Sequence, residues 1–188
     1  LYVLNIMGNQ ELAYLQNGYI VGSPALVDLD GDNDMEIIFT TQVGSNSGQL
    51  YVIHHDGNEF DGFPVNVNER MVCGPAVGDL EQDGDLDIVI CTFDDNIYAY
   101  DYTGSIKIGF PYISTNRFNS SPSLVDIDND GDLEILAGNN DGLLHVLNHD
   151  GSEMALYDTG DDIRGGITVS DINNDGVNEI LFTGYDDF

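Results

Sequence analysis

The sequence has very few basic residues: four Lys and Arg stand against 34 Asp and Glu, which gives a formal net charge of −30 over 188 residues. A chain this acidic repels nucleic acid and anionic membrane surfaces, so neither is an expected partner. The sequence also lacks any run of about 18 apolar residues, so no membrane-inserted helix is predicted. Leu1 to Leu4 lack the basic flank and long apolar stretch of a signal peptide, so we expect an export signal to have been removed or to lie outside this sequence.

Cysteine is scarce and tryptophan is absent. Two cysteines, Cys73 and Cys91, make no disulfide framework, and they do not define a redox compartment. They lie at opposite ends of one predicted hairpin and nearly in register, so either a disulfide or two buried thiols fits the sequence. Apolar residues still make up 41% of the chain, with 10 Tyr and 8 Phe. This composition predicts a folded protein rather than a disordered one.

The acidic residues are clustered. Eighteen of the 34 carboxylates fall in four nine-residue windows, 28–36, 79–87, 126–134 and 171–179, whose first residues are 51, 47 and 45 apart. A charge that served solubility alone would be scattered, whereas clustered carboxylates indicate local binding of a cation. The regular spacing indicates an internal repeat.

Each acidic window lies between two short apolar runs, such as 24–27 and 37–39 around the first window. A third run ends at a turn glycine in each unit, and a weaker fourth run includes Gly62-Phe-Pro and Gly109-Phe-Pro. These runs have the length of strands, and no helical period continues through them. Four strands in a unit of this size match one propeller blade. The sequence therefore predicts an all-β protein, a β-propeller of four-stranded antiparallel blades.

The predicted strand order makes residues 1–188 a single propeller domain or a fragment of one. It consists of a half blade (1–20), three blades (about 21–70, 71–117 and 118–164) and a second half blade (165–188). This is four blades' worth of sequence. The half blades can pair to close a four-bladed ring, the chain can be part of a larger propeller, or two chains can combine into one ring. We favour part of a larger propeller, because the sequence starts inside a predicted strand without Met or a leader.

The four windows have oxygen donors at alternating positions of a tight loop. Such a loop wraps around one hard cation, and Ca²⁺ takes six to eight oxygen ligands. Position 6 needs a left-handed backbone, which Gly or Asn provides, and position 7 would offer its backbone carbonyl. An EF-hand needs Glu at position 12 and flanking helices, so it is excluded.

We expect about four Ca²⁺ per chain rather than solvated acidic hairpins, with the fourth loop weakest. The expected ligands, at positions 1, 3, 5, 7 and 9, are Asp28, Asp30, Asp32, Asp34 and Glu36; Asp79, Glu81, Asp83, Asp85 and Asp87; Asp126, Asp128, Asp130, Asp132 and Glu134; and Asp171, Asn173, Asp175, Val177 and Glu179.

The segments that lead into these loops carry a family resemblance. Residues 22–30 (Gly-Ser-Pro-Ala-Leu-Val-Asp-Leu-Asp), 73–80 (Cys-Gly-Pro-Ala-Val-Gly-Asp-Leu) and 121–128 (Ser-Pro-Ser-Leu-Val-Asp-Ile-Asp) resemble the FG-GAP or VCBS repeats of integrin α-chain propellers and of many secreted bacterial proteins. The resemblance covers nearly the whole chain. It implies calcium in the hairpin between the first and second strands of a blade, and a role in adhesion or ligand binding outside the cell. Glu81 and Asn173 at position 3, and Glu at position 9 of three loops, depart from the pattern.

Three of the four basic residues lie in the connection that leads into the first strand of a blade. Arg70 and Arg117 each lie five residues before the proline of the repeat, Arg164 lies nearby in a shorter loop, and Tyr19 has this place in the first unit. Each arginine either pairs with a neighbouring carboxylate and holds its blade, or joins the others near the mouth of a central channel. The second arrangement would bind an acidic sugar or a carboxylate ligand.

Catalysis is not expected. The four histidines occupy places that recur from blade to blade, which favours structural roles, and a bound cation would lower the pKa of the loop carboxylates and leave no general acid. The sequence therefore predicts a non-catalytic, calcium-stabilised extracellular module that binds a protein or a glycan. The alternatives are an accessory or catalytic propeller domain of a secreted polysaccharide-degrading enzyme or peptidase, and a structural spacer in a surface protein.

Overall fold

The computed structural model describes residues 1–185, and in this range all regular structure is β. The described part contains no helix that could cross a membrane. In chain order the strands are β1 (Tyr2–Leu4), β2 (Gln10–Ala13), β3 (Tyr19–Ile20), β4 (Ala25–Val27), β5 (Glu36–Gly44), β6 (Ser47–Ile53), β7 (Val65–Val67), β8 (Ala76–Gly78), β9 (Asp87–Cys91), β10 (Asn96–Asp101), β11 (Tyr112–Ile113), β12 (Ser123–Val125), β13 (Glu134–Gly138), β14 (Leu143–Leu147), β15 (Glu153–Asp158), β16 (Thr168–Ser170) and β17 (Glu179–Leu181).

These strands form antiparallel sheets in sequence order. Strands β8 to β11 and β12 to β15 make two four-stranded sheets. A third sheet has the order β3-β5-β6-β7, and β4 also pairs with β5, so its first strand is divided in two. Two-stranded sheets, β1-β2 and β16-β17, stand at either end of the described chain. The predicted all-β architecture of four-stranded antiparallel sheets is confirmed.

Neighbouring sheets stack face to face, and this stacking explains the short, uninterrupted apolar runs of the sequence. Alternate residues of β9 point to opposite neighbours: Ile88 and Ile90 join the core with the preceding sheet, whereas Val89 and Cys91 join the core with the following one. Because both faces are covered, every residue of β9 and β13 is buried. The end sheets are partly exposed, and no backbone pairing joins β1 to β17 within residues 1–185. The described chain thus forms an open series of sheets, and the closed four-bladed ring is not formed.

The first strands of successive sheets converge on one side of the stack. The Gly74 amide donates to Ser121 Oγ at 3.0 Å, and Thr40 Oγ1 donates to the Cys73 carbonyl at 2.6 Å, so that adjacent sheets are joined where their first strands begin. Cys73 and Cys91 are both buried here as free thiols, and of the two alternatives for this pair the disulfide is not formed. Burial raises the pKa of Cys73 to about 12.

The fourth strands of two sheets, β7 and β11, begin just after the Gly-Phe-Pro segments that the sequence placed within them. Gly109 explains the motif: its φ is +93°, and a Cβ there would overlap the Asp150 carbonyl of the next sheet. The glycine is therefore needed twice, for its backbone conformation and for close approach of two sheets.

Replacing Gly109 with Ala should destabilise the fold more than replacing Gly160 with Ala. Gly160 has a similar φ of +83°, but no atom lies within 4 Å of the place that a Cβ would take, so its substitution isolates the cost of the left-handed backbone, about 1–2 kcal/mol. Gly109→Ala adds the overlap with Asp150 to that cost. Urea unfolding of both variants measures the difference, and equal losses of stability would contradict the proposed contact.

Candidate functional site

The four acidic windows form the connections β4–β5, β8–β9, β12–β13 and β16–β17, at one end of the stacked sheets. In each, the acid at position 9 is the first residue of the second strand. It turns back to accept a hydrogen bond from the backbone amide at position 2, as between Glu36 and Leu29 at 2.8 Å and between Glu134 and Ile127 at 3.0 Å. Asp87 and Glu179 accept in the same way from Leu80 and Ile172. Glu36, Asp87 and Glu134 are almost fully buried.

Backbone amides of each loop also donate hydrogen bonds to acids at other positions of the loop. At position 1, Asp28 accepts from the amides of positions 4 and 6, Gly31 and Asn33, at 2.8 and 3.0 Å, whereas Asp79 and Asp171 accept from the amides of positions 5 and 6. At position 5, Asp32 accepts from the amide of position 7 at 2.8 Å, and this bond recurs in all four loops.

Two positions of each loop have positive φ. Position 6 was predicted from the sequence, and its residues are Asn33, Gly84, Gly131 and Gly176. Position 4 was not predicted; its residues are Gly31, Gln82, Asn129 and Asn174. The signal for position 4 was present, because three of the four are Gly or Asn, the residues that tolerate this conformation best.

The first and third loops fit a hard divalent cation. Carboxylate oxygens of Asp28, Asp30 and Asp32 lie within 4.8 Å of one another, and so do those of Asp126, Asp128 and Glu134. In the third loop, Asp126 Oδ1 is buried without a hydrogen-bond partner among the described residues. Burial raises the pKa of Glu134, and the neighbouring acids add to this effect against the opposing Ile127 hydrogen bond. Several converging carboxylates, one of them with an oxygen that accepts no hydrogen bond, are the kind of oxygen ligands that Ca²⁺ binds.

The fourth loop fits less well. It has three carboxylates, Glu179 at position 9 is less buried than Glu36 or Glu134, and the Asn173 amide donates to Glu179 Oε1 at 2.9 Å. Its acids do not gather within 4.8 Å as those of the first and third loops do, among the residues that the structure describes. The fourth loop is therefore a poorer candidate for a cation than the first and third loops, and the predicted order of affinities stays a prediction.

The second loop differs from the others because Lys107 reaches into it. The lysine Nζ lies 2.8 Å from Asp87 Oδ2 and also contacts Glu81 Oε2. Sequence reasoning overlooked Lys107, although it is the only lysine and aligns with the apolar residues Phe60 and Met154 of the neighbouring units. The first unit has Glu11 at this place, so Lys107 is the only basic residue there, and that is the signal that could have found it.

Three histidines contact acids of the first and third loops. His54 Nδ1 lies 3.0 Å from Glu36 Oε1, His55 Nδ1 lies 3.5 Å from Asp34 Oδ2, and His149 Nδ1 lies 3.1 Å from Asp132 Oδ2. These histidines come from the turns between third and fourth strands, so those turns lie at the same end of the sheets as the acidic loops.

The fourth histidine, His145, belongs to a buried polar network. Its ring nitrogens lie 3.1 Å from Tyr112 Oη, 3.0 Å from Ser114 Oγ and 3.2 Å from Asn139 Nδ2. Burial lowers the pKa of His145 against a weaker opposite effect of Glu153. The folded protein therefore holds the imidazole neutral where the unfolded chain would protonate it.

His145 should make stability depend on pH below about 6.5. In that range the unfolded chain binds a proton that the folded chain excludes, so stability falls as the pH drops, by at most about 1.4 kcal/mol per pH unit. Replacing His145 with Tyr, which other units have at this place, should reduce the loss between pH 7.5 and pH 5.5. Urea unfolding of both proteins at the two pH values measures this loss of stability. An equal loss in the variant and in the unaltered protein would contradict the role of His145.

The arginines lie at the opposite end of the sheets, where the first strands begin and the turns between second and third strands meet them. Arg70 and Arg117 both contact the ring of Phe93, with Cζ at 4.2 and 4.6 Å from its centroid. We call these three residues the arginine cluster. Neither guanidinium forms a salt bridge within residues 1–185, and Arg70 Nε is buried without a hydrogen-bond partner there.

The other two residues of the expected ring have different surroundings. Arg164 lies over the ring of Tyr185 at 4.0 Å and pairs with Asp162 of its own loop at 2.7 Å. Tyr19 is largely exposed in β3. The structure therefore brings together two of the four predicted ligand-binding residues, and it adds Phe93, which the sequence analysis did not single out.

Solved structures with a similar fold are β-propellers. One is BamB from Moraxella catarrhalis, with a TM-score of 0.60 and 18% identity over 82% of this chain and 42% of BamB. Another is BBS1N in complex with ARL6DN, with a TM-score of 0.63 and 11% identity over 89% of this chain and 52% of BBS1N. The chain thus spans about half the length of these propellers or less. These likenesses confirm the predicted propeller fold.

Sequence comparison identifies the family. No curated protein sequence matches significantly. The model of the FG-GAP-like repeat matches residues 28–90 and 79–137, which together cover more than half of the chain and include the first three acidic loops. The chain belongs to the FG-GAP-like repeat family.

Proposed function

We propose that this chain is a non-catalytic, calcium-stabilised β-propeller module that binds a protein partner outside the cell. The observation that carries the proposal is the convergence of three carboxylates in each of the first and third loops, with a buried Asp126 oxygen in the third that has no hydrogen-bond partner within residues 1–185. A cation is the simplest counter-charge for such a site in a chain with a net charge of −30.

Calcium is favoured over magnesium by the ligand set. Mg²⁺ usually keeps several waters and takes one or two carboxylates, whereas Ca²⁺ accepts six to eight oxygens in flexible geometry. FG-GAP repeats often bind calcium, which supports the same assignment. Exposed loops with weak to moderate affinity would be filled at extracellular calcium concentrations, which supports a location outside the cell.

The arginine cluster supports a binding role at the other end. Arginine and aromatic residues are enriched in the energetically dominant parts of protein interfaces. The Arg70 and Arg117 guanidiniums have no carboxylate partner within the described chain, and Arg117 Nε and Nη2 lie 3.0 and 3.2 Å from the Asn140 side-chain amide, a neutral partner that a carboxylate of a ligand would replace with a stronger contact. The propeller of BBS1N was crystallised with a protein, ARL6DN, which supports a protein as ligand here; an acidic glycan would satisfy the same chemistry.

Screening the calcium-loaded protein against arrays of extracellular proteins and of acidic oligosaccharides tests this proposal. Bound proteins should lose affinity by tenfold or more for the Arg70→Ala/Arg117→Ala double variant, because truncation of a hot-spot arginine costs about 2 kcal/mol or more and tenfold corresponds to about 1.4 kcal/mol. Arg164→Ala is the matched control, since its guanidinium already pairs with Asp162. Unchanged binding by the double variant would contradict the proposed surface. A large loss of stability in that variant would instead make the arginines structural.

If the module were an enzyme, its catalytic acids would lie in a cleft of about 550 Å³. This cleft is lined by residues of the second loop, Lys107 and His149. Burial raises the pKa of its most buried acid, Asp87, to about 6, but the Lys107 ammonium at 2.8 Å stabilises the charged carboxylate. We therefore propose that the module itself performs no hydrolysis. Assays on acidic polysaccharides and on unfolded protein should detect no turnover.

A further inference from the structure

The second acidic loop already contains a cation supplied by the chain itself. The Lys107 ammonium contacts Glu81 and Asp87, which hold positions 3 and 9, the places of two predicted metal ligands. The lysine side chain is 15% exposed and that of Asp87 is 3% exposed, so this ion pair is largely removed from solvent. No other acidic loop within residues 1–185 forms a salt bridge with a lysine or an arginine.

The sequence of this loop is altered in a way that suits an ammonium. The second loop has the longer Glu81 at position 3 and the shorter Asp87 at position 9, whereas the other loops have Asp or Asn at position 3 and Glu at position 9. The Lys107 amide donates to the Ala99 carbonyl at 2.9 Å, which fixes the backbone beside β10 so that the side chain extends toward the loop. At the same place in the preceding unit, Phe60 is buried in the core instead.

The acids of this loop are also arranged differently. Three carboxylates gather within 4.8 Å in the first and third loops, but not in the second, among the residues that the structure describes. A divalent cation bound by Glu81 and Asp87 would have to share them with the ammonium, at a separation where like charges repel strongly. Only one of the two cations can occupy the loop.

We propose that the Lys107 ammonium takes the place of Ca²⁺ in the second loop, so that this blade is closed by an internal ion pair and does not depend on metal. The chain then binds at least one ion fewer than its four acidic loops suggest. The predicted number of bound ions rests on the proposed calcium binding of the other loops. The ion pair between Lys107 and the second loop does not depend on that proposal.

Equilibrium dialysis with radioactive calcium tests the count with two matched substitutions at position 5. Asp130→Asn in the third loop should lower the number of bound ions by one, whereas Asp83→Asn in the second loop should leave it unchanged. A loss of one ion in Asp83→Asn would overturn the proposal. Neither variant alters Lys107, so this comparison does not require that a lysine variant fold.

Substitution of Lys107 gives the reciprocal result. Lys107→Gln should add one bound ion, because it frees Glu81 and Asp87, and Lys107→Arg should bind as many ions as the unaltered chain. Combining Lys107→Gln with Asp83→Asn should abolish the added site. A folded Lys107→Gln variant that binds no additional ion would contradict the proposal.

A separate measurement keeps the ion pair testable if the chain binds no calcium at all, in which case the proposed function fails at its calcium sites. Lys107 is the only lysine, so its acetylation rate, followed by peptide mass spectrometry, reports on one side chain. We expect slow acetylation in chelator and no change when calcium is added. Fast acetylation in chelator, or a calcium-dependent increase that shows displacement of the ammonium, would overturn the assignment.

Discussion

The melting temperature should fall by about 10–20 °C when calcium is removed with a chelator. Each filled site stabilises the folded state by about 2.7 kcal/mol when free calcium is a hundredfold above Kd. The two loops with converging carboxylates, at Asp28 and at Asp126, then contribute about 5 kcal/mol, a large part of the 5–15 kcal/mol typical of a domain. For a chain of 188 residues, 1 kcal/mol corresponds to about 2–4 °C.

Two controls make this result specific. Magnesium added to the chelated protein should restore little of the lost stability, because it favours fewer carboxylates and near-octahedral geometry. An increase of monovalent salt tests general screening of the −30 charge, which acts on all exposed acids over about 10 Å rather than on the loops alone. A melting temperature that is the same with calcium and with chelator would contradict the proposed sites.

Glu134→Gln should lower stability in calcium but not in chelator. In calcium the variant loses a charged ligand of the third loop, so it should lose up to about 2.7 kcal/mol relative to the unaltered chain. In chelator it should be equal or slightly more stable, because the buried Glu134 charge is opposed by burial and by the neighbouring acids. The Gln oxygen can still accept the hydrogen bond from the Ile127 amide, so the loop backbone keeps its bond at position 2.

Glu11→Gln is the matched control for this difference. Glu11 is exposed and lies outside the four loops, and its substitution removes the same charge. Its stability should be nearly unchanged in both conditions. If Glu134→Gln cost the same in calcium and in chelator, Glu134 would have a structural role and no part in metal binding.

The repeat made much of this fold predictable. Because the acidic windows recur at 51, 47 and 45 residues, the strands on either side of them could be placed from the sequence, and β9 and β13 begin at the acid of position 9, one residue before the predicted apolar runs. Ring closure could not be predicted, since it depends on how far each sheet is rotated from the next rather than on the strand pattern. The open arrangement of β1-β2 and β16-β17 is therefore a result of the structure.

Sequence reasoning missed the contacts of residues that differ between units at equivalent positions of the repeat. Lys107 belongs to one unit only, and it meets Glu81 through a contact 26 residues apart along the chain. Similarly, equivalent positions suggested one ring of arginines, yet Arg70 and Arg117 share Phe93 while Arg164, in its shorter loop, pairs with Asp162. Residues at equivalent places acquire different roles when a single neighbouring side chain differs.

A crystal structure of the protein grown in calcium, with anomalous scattering data collected at a long wavelength, tests the central claim most directly. We predict anomalous peaks among Asp28, Asp30 and Asp32 and among Asp126, Asp128 and Glu134, each with oxygen ligands at about 2.3–2.6 Å. The second loop should show the Lys107 Nζ between Glu81 and Asp87 and no peak. Water alone in the first and third loops of such crystals would contradict the claim that calcium stabilises this propeller.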